Sequence, residues 1–272
     1  MDDRSRQLDL FGDRAPAAPE SAPASRPVRL DTLSDDDILD LLPDAGMEDA
    51  VLLCGLVVER GLGDRALPAL DRLWRRFRGF GHDRPQPEQE AVVETLARVG
   101  TAEARDMLRR IVTAVDLPPP LLPVGLRAAL TAGLRLPRTF TGPLLRHADP
   151  HARELAARLS RFDRPDIAAL EESIGDTHAP VRRAAAVALG RLGRASAKPV
   201  LLEELRRDPA GEIVAALSGI ADDEDIPVHL GRCAEAHPAL AETVAAALEE
   251  METALSLKIA RRIRAGQARR PD

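Results

Sequence analysis

An all-α solenoid of stacked helix pairs is the fold this sequence predicts, and three observations predict it. Apolar residues make up 44% of the 272-residue chain but aromatics only 2%, with no tyrosine, so Ala, Leu and Val must supply the core. Such residues pack helices closely and leave little from which to build a large sheet. The apolar positions recur at helical spacing in segments of roughly 10–15 residues separated by Pro, Gly or Asp. The pattern also repeats. Pro150, Pro180 and Pro209 lie at helix starts, Leu159, Leu189 and Leu217 follow, then Phe162, Leu192 and Ile220, at offsets of 28–30 residues. A period near 30 marks one helix pair stacked on copies of itself.

Along the chain, residues 1–30 read as a disordered tail: Pro16, Pro19, Pro23 and Pro27 stand among Ala, Ser and charges, a stretch unable to bury a core. Helical order is expected to begin at Leu33-Ser34-Asp35-Asp36-Asp37-Ile38, with Ser34 as cap, Asp37 closing a capping box and Leu33 stapled onto Ile38. The clearest unit runs from Asp176 through Leu189 to Gly193 and on through Ala197 to Leu205, a loop, helix, tight turn and helix. Weaker copies lie at Glu90–Gly100 and Leu126–Leu136, giving about five or six pairs over residues 31–265. Residues 266–272 form a short basic C-terminal tail.

The Asp176–Leu205 unit and its copies resemble short HEAT repeats, similar to those of phycobilin lyases and other bacterial scaffold proteins. The likeness covers residues 145–222 best. It implies an arginine recurring in the first helix, which Arg153 and Arg183 supply; the third copy departs, carrying Gly211-Glu212 there. Architecture is all that such a likeness implies.

Composition bounds the function. A formal charge of −6 excludes a uniformly basic nucleic-acid-binding surface, so any DNA contact must be local. Cys54 and Cys233 are too few for a disulfide framework, and Ala50–Val58, the longest apolar run, is too short to span a bilayer. A cytoplasmic protein without membrane contact is expected.

The most informative short segment is Gln7-Leu8-Asp9-Leu10-Phe11, which resembles the pentapeptide by which bacterial polymerases and repair factors dock onto the DNA polymerase sliding clamp. The resemblance implies that Leu10 and Phe11 enter an apolar pocket, Leu8 covers its rim and the Gln7 amide gives directional hydrogen bonds. Folding back onto the helices is the alternative reading. Two basic stretches are candidate phosphate contacts: Arg72, Arg75 and Arg76, which leave Leu67, Leu70, Leu73, Trp74 and Phe77 for the core, and Arg261, Arg262 and Arg264 near the C-terminus. Solvation accounts for both equally simply.

His229, Cys233 and His237 share i, i+4, i+8 spacing, but Pro238 biases His237 out of the helix and no fourth ligand is evident, so no metal or other cofactor is expected. No catalytic motif stands out. The reading is a non-enzymatic adaptor, docked on the clamp by its tail and holding an unidentified protein on the solenoid's concave face, in replication or repair. A HEAT-type DNA repair enzyme and a scaffold unconnected with DNA are the alternatives.

Overall fold

The computed structural model describes residues 33–160, 165–220 and 224–267, and all regular structure among them is helical. Helix α1 (Asp35–Leu41) starts directly after Ser34 and carries Asp35, Asp36 and Asp37 in its first turn, where carboxylates meet the positive end of the helix dipole. Helix pairs follow: α2 (Met47–Glu59) with α3 (Leu67–Arg76), α4 (Pro87–Val99) with α5 (Ala102–Val112), and α6 (Leu122–Thr131) with α7 (Arg138–Leu144). The next are α8 (Pro150–Leu159) with α9 (Ile167–Ser173) and α10 (Ala179–Arg191) with α11 (Lys198–Arg207). The last are α12 (Gly211–Ser218) with α13 (Asp225–Ala236), and α14 (Ala241–Glu250) with α15 (Ala254–Gln267). The described residues thus hold seven pairs where the sequence pattern counts five or six. The terminal pairs escape the pattern because α2 is apolar almost all round and α15 reads first as a basic stretch.

The pairs form two layers. Helices α2, α4, α6, α8, α10, α12 and α14 stack each on the next, and α3, α5, α7, α9, α11 and α13 pack behind them; α15 closes on α13 and α14. Small side chains make the stack close. Helix α10 buries Val181 and the whole run Ala184–Gly190, and a methyl group on Gly190 would lie 2.6 Å from the Ala216 carbonyl oxygen of α12. Across the same contact, a methyl group on Gly219 would lie 2.5 Å from the Gly190 carbonyl oxygen. The C-terminal ends of α10 and α12 therefore touch backbone to backbone. Their N-terminal ends also meet, through Arg183 and Glu212, so the two helices run parallel.

The turns repeat as well. Gly61, Gly133 and Gly193 adopt left-handed φ values of 63°, 64° and 72° after α2, α6 and α10. In each case the next residue's N–H bonds back to a helix carbonyl: Leu62 to Val57, Leu134 to Ala129 and Arg194 to Leu189, at 2.9–3.0 Å. This cap satisfies carbonyls that the helix end would leave unpaired. Gly133 and Gly193 are 60 residues apart, two periods of 30.

The arginines that the HEAT resemblance singles out join one pair to the next. Arg153 on α8 grips Asp176, just before α10, with Nε–Oδ2 2.7 Å and Nη2–Oδ1 3.1 Å, and donates to the carbonyls of His147 and Ala148. Arg183 on α10 reaches Asp208 at 2.5 Å and Glu212 at 3.2 Å, both on the next unit. The departure at the third copy is thus an acceptor for the second copy's arginine. Of the repeated apolar series, Leu159, Leu189 and Leu217 are buried, as is Ile220; Leu192, at the cap of α10, stays 45% exposed, and Phe162 lies outside the described residues.

Two tests follow from this packing. Gly190→Ala is expected to cost about 1–3 kcal/mol by overpacking, lowering Tm by roughly 2–4 °C per kcal/mol, whereas Gly55→Ala, where a methyl group meets nothing within 4 Å, should stabilise α2 by about 0.8–1 kcal/mol. Equal thermal melts for the two variants would contradict the close crossing. The Arg153 guanidinium, with the His178 backbone N–H, holds the Asp176 carboxyl well below the usual carboxylate range. The folded-state value being lowered, its contribution is full at neutral pH and is lost as pH falls below about 4. Asp176→Asn should lower the melt at pH 7 and narrow the gap between melts at pH 7 and pH 3.

Candidate functional site

Each inner helix of the stack is covered by its two neighbours and by the second layer, which leaves one stripe facing solvent. On α4 that stripe is Glu94 and Arg98, on α6 Arg127 and Thr131, and on α8 Glu154 and Arg158. On α10 it ends in Arg191. A shallow hollow of about 50 Å³ between α6, α8, α10 and α12 is lined by Leu130, Ala157, Arg158, Val187, Arg191 and Glu212, which brings Arg158 and Arg191 to one opening. Arg158 pairs with Glu154 at 2.8 Å. Among the described residues, Arg98, Arg127 and Arg191 make no ion pair or side-chain hydrogen bond.

The stripe of α2 differs in being apolar. Met47, Val51 and Leu52 stand 51%, 46% and 49% exposed, beside acidic Glu48 and Asp49. Apolar side chains crowded together in water mark a surface that another molecule covers more often than a free one.

The expected phosphate-contacting arginines fall into two groups that the fold keeps apart. On α3, Arg75 pairs with Asp71 at 2.7 Å, and Arg76 donates to the carbonyls of Pro43 and Ala45 at 3.0 Å each, stitching α3 to the segment before α2; Arg72 is exposed. Leu70 and Leu73 are buried, but Leu67, Trp74 and Phe77, expected in the core, are only half-buried. Trp74 lies near the C-terminal end of α3, beside Arg78 and Gly79 of the loop that follows. It lines a cleft of about 410 Å³ against α5, with Met107 and Ile111 as apolar neighbours and Arg75, Arg78 and Arg110 at the rim. On α15, Arg264 forks between Glu242 and Glu249 at 2.8 Å, and those carboxylates, Glu249 foremost, push its pKa up. Arg262 pairs with Glu235, and Arg261 is exposed. Gln7, Leu8, Asp9, Leu10 and Phe11 lie outside the described residues.

The row Arg98, Arg127, Arg158, Arg191 was not visible as a site in the sequence, where its members stand about 30 residues apart. One signal was available. Arg98 and Arg191 each precede a left-handed glycine by two positions, Gly100 and Gly193.

Among the described residues no group of three or more His, Cys, Asp or Glu could hold a metal ion. His237 caps α13 with φ −126° and ψ 81°, outside the helical alignment with His229 and Cys233. No helix among the described residues is long and apolar enough to cross a membrane.

Residues 140–221, from α7 to just beyond α12, match a family model described as HEAT repeats. No curated protein matches the chain. The repeated cap and the stacking carry the same architecture on either side of the matched stretch, from α2 to α14. HEAT-like arrays assemble an extended surface from many repeats.

Both thiols are buried. Burial pushes the Cys54 thiol up to about 11, opposed only by a hydrogen bond with Thr95, and burial likewise raises Cys233. The reactive thiolate is therefore scarce at pH 8. A disulfide reagent such as DTNB is expected to release almost nothing from the native chain within minutes, and two equivalents per chain after unfolding. Fast release from the folded protein would show that one of the two helices opens locally.

Proposed function

We propose that this chain is a non-enzymatic adaptor: its stacked helices hold a protein partner on their free face, and its N-terminal segment docks onto the DNA polymerase sliding clamp. The observation that carries the scaffold role is the exposed apolar stripe Met47, Val51, Leu52 on the first stacked helix. Burying such side chains contributes roughly 1.5–3 kcal/mol each, enough for three of them to anchor a complex. The clamp reading is supported by the match at Gln7, Leu8, Asp9, Leu10 and Phe11, placed ahead of four prolines between residues 16 and 27. Such a spacer lets a short docking peptide reach its pocket independently of the body that follows. A cytoplasmic role in replication or repair follows from that partner, with local DNA contact and no cofactor.

Isothermal titration of purified clamp into the full chain tests the docking. Replacing Leu10 and Phe11 together by Ala is expected to weaken binding by two to four powers of ten, at about 1.5–3 kcal/mol per side chain. The thermal melt should be unchanged. If the double variant binds as tightly as the parent, or the parent shows no binding at tens of micromolar clamp, the docking reading is wrong; a lowered melt with no clamp binding would mean that the segment packs on its own helices.

A further inference from the structure

Charge is divided unevenly along the array. Between Arg98 and Lys198 the sequence holds 17 basic and 10 acidic residues, whereas residues 33–97 hold 7 and 14. Of the 14 described arginines in this stretch half are held by neighbours: Arg109, Arg138, Arg146, Arg153, Arg158 and Arg183 pair with carboxylates and Arg182 donates to backbone carbonyls. The unpaired half comprises Arg105 and Arg110 on α5, Arg135 and Arg194 between helices, and three on the solvent face of the stack. That face presents Arg98, Arg127, Arg158 and Arg191, one from each of α4, α6, α8 and α10, and only Arg158 has a partner, Glu154. Glu94 shares the face without pairing, and Glu212 is engaged by Arg183.

We propose that this row is a track for the phosphate backbone of a nucleic acid. A guanidinium presents paired donors that match phosphate oxygens, and one guanidinium per stacked helix gives a repeating site for a repeating ligand. The floor between the arginines favours a nucleic acid over an acidic protein segment. Between Arg158 and Arg191, Ala157, Ala184, Val187 and Ala188 leave a hollow of about 50 Å³, against about 410 Å³ in the cleft at Trp74, so this floor offers little of the apolar anchoring on which protein complexes depend. A contact made by charge alone needs no such pocket. Helices packed about 8–10 Å apart put the four arginines over about 24–30 Å, the length of roughly 7–9 base pairs.

Occupation of the track is separable from clamp docking, because the probe is a labelled 20-base-pair duplex of mixed sequence, titrated with the full chain in the absence of clamp. Anisotropy measured at several salt concentrations is expected to give a log–log slope of about −3.6, at about −0.9 per phosphate contact. Arg127→Gln with Arg191→Gln should bring the slope to about −1.8 and weaken binding at low salt by at least tenfold. Arg261→Gln with Arg262→Gln removes the same charge from α15 and should leave the slope near its parent value. Lysine at positions 127 and 191 keeps the charge and should restore most of the slope, which separates lost contact from lost folding. The track is refuted if the parent shows no binding at low salt, or if the two glutamine pairs lose affinity equally. Tighter binding of a polyglutamate peptide than of the duplex, abolished by the Arg127 and Arg191 changes, would reassign the row to an acidic protein partner.

Discussion

Where α10 crosses α12, Gly190 and Gly219 let one backbone rest on the other, and the spacing of the array depends on that closeness. Helices brought together at glycine and alanine leave little room for long side chains between them, so residues such as Arg98, Arg127 and Arg158 are left to the solvent stripe. The stripe is therefore a product of the packing. Arg127 projects into water because Val124, Gly125, Leu126, Ala128 and Ala129 occupy the other sides of α6. A wider crossing would have let the same arginine lie flat against a neighbour.

The same distinction governs the other cations. Arginine is abundant here, and most of it is spoken for: Arg76 binds carbonyls of the preceding segment, Arg153 and Arg183 hold successive pairs together, and Arg264 lies between two glutamates. Linear density of positive charge therefore says little about where a polyanion is received. The densest basic stretch, at Arg261, Arg262 and Arg264, has two of its three guanidiniums paired. The sparse row on α4, α6, α8 and α10 has three of four free among the described residues.

Local signals carried the fold far. Helical spacing, the Pro150 and Pro180 starts and the Leu159, Leu189, Leu217 series were legible because each depends on residues within a few positions, and a 30-residue repetition multiplies the signal. Contacts between units were not. Arg153 could be recognised as recurrent, but its partner Asp176 is 23 residues on, at a place no local rule marks. Leu192 and Trp74 misled for the complementary reason: their spacing fits the apolar face, yet each stands at or near the end of its helix, where burial is incomplete. The surface row was least legible of all, since a face assembled from four separate helices exists only once their lateral register is set.

The grip of Arg153 and Arg183 on the loops ahead of them also gives this part of the array a direction in which it can lengthen. A segment running from Pro150 to Ala179 begins and ends on matching junctions, because α8 receives α10 in the same way that α10 receives α12. Duplicating that segment in the gene would insert a unit whose arginine finds an acceptor ahead and whose acceptor finds an arginine behind. Beyond α12 the scheme stops, for Glu212 occupies the arginine's place and can only receive. Lengthening by this junction is thus confined to the stretch ahead of α12.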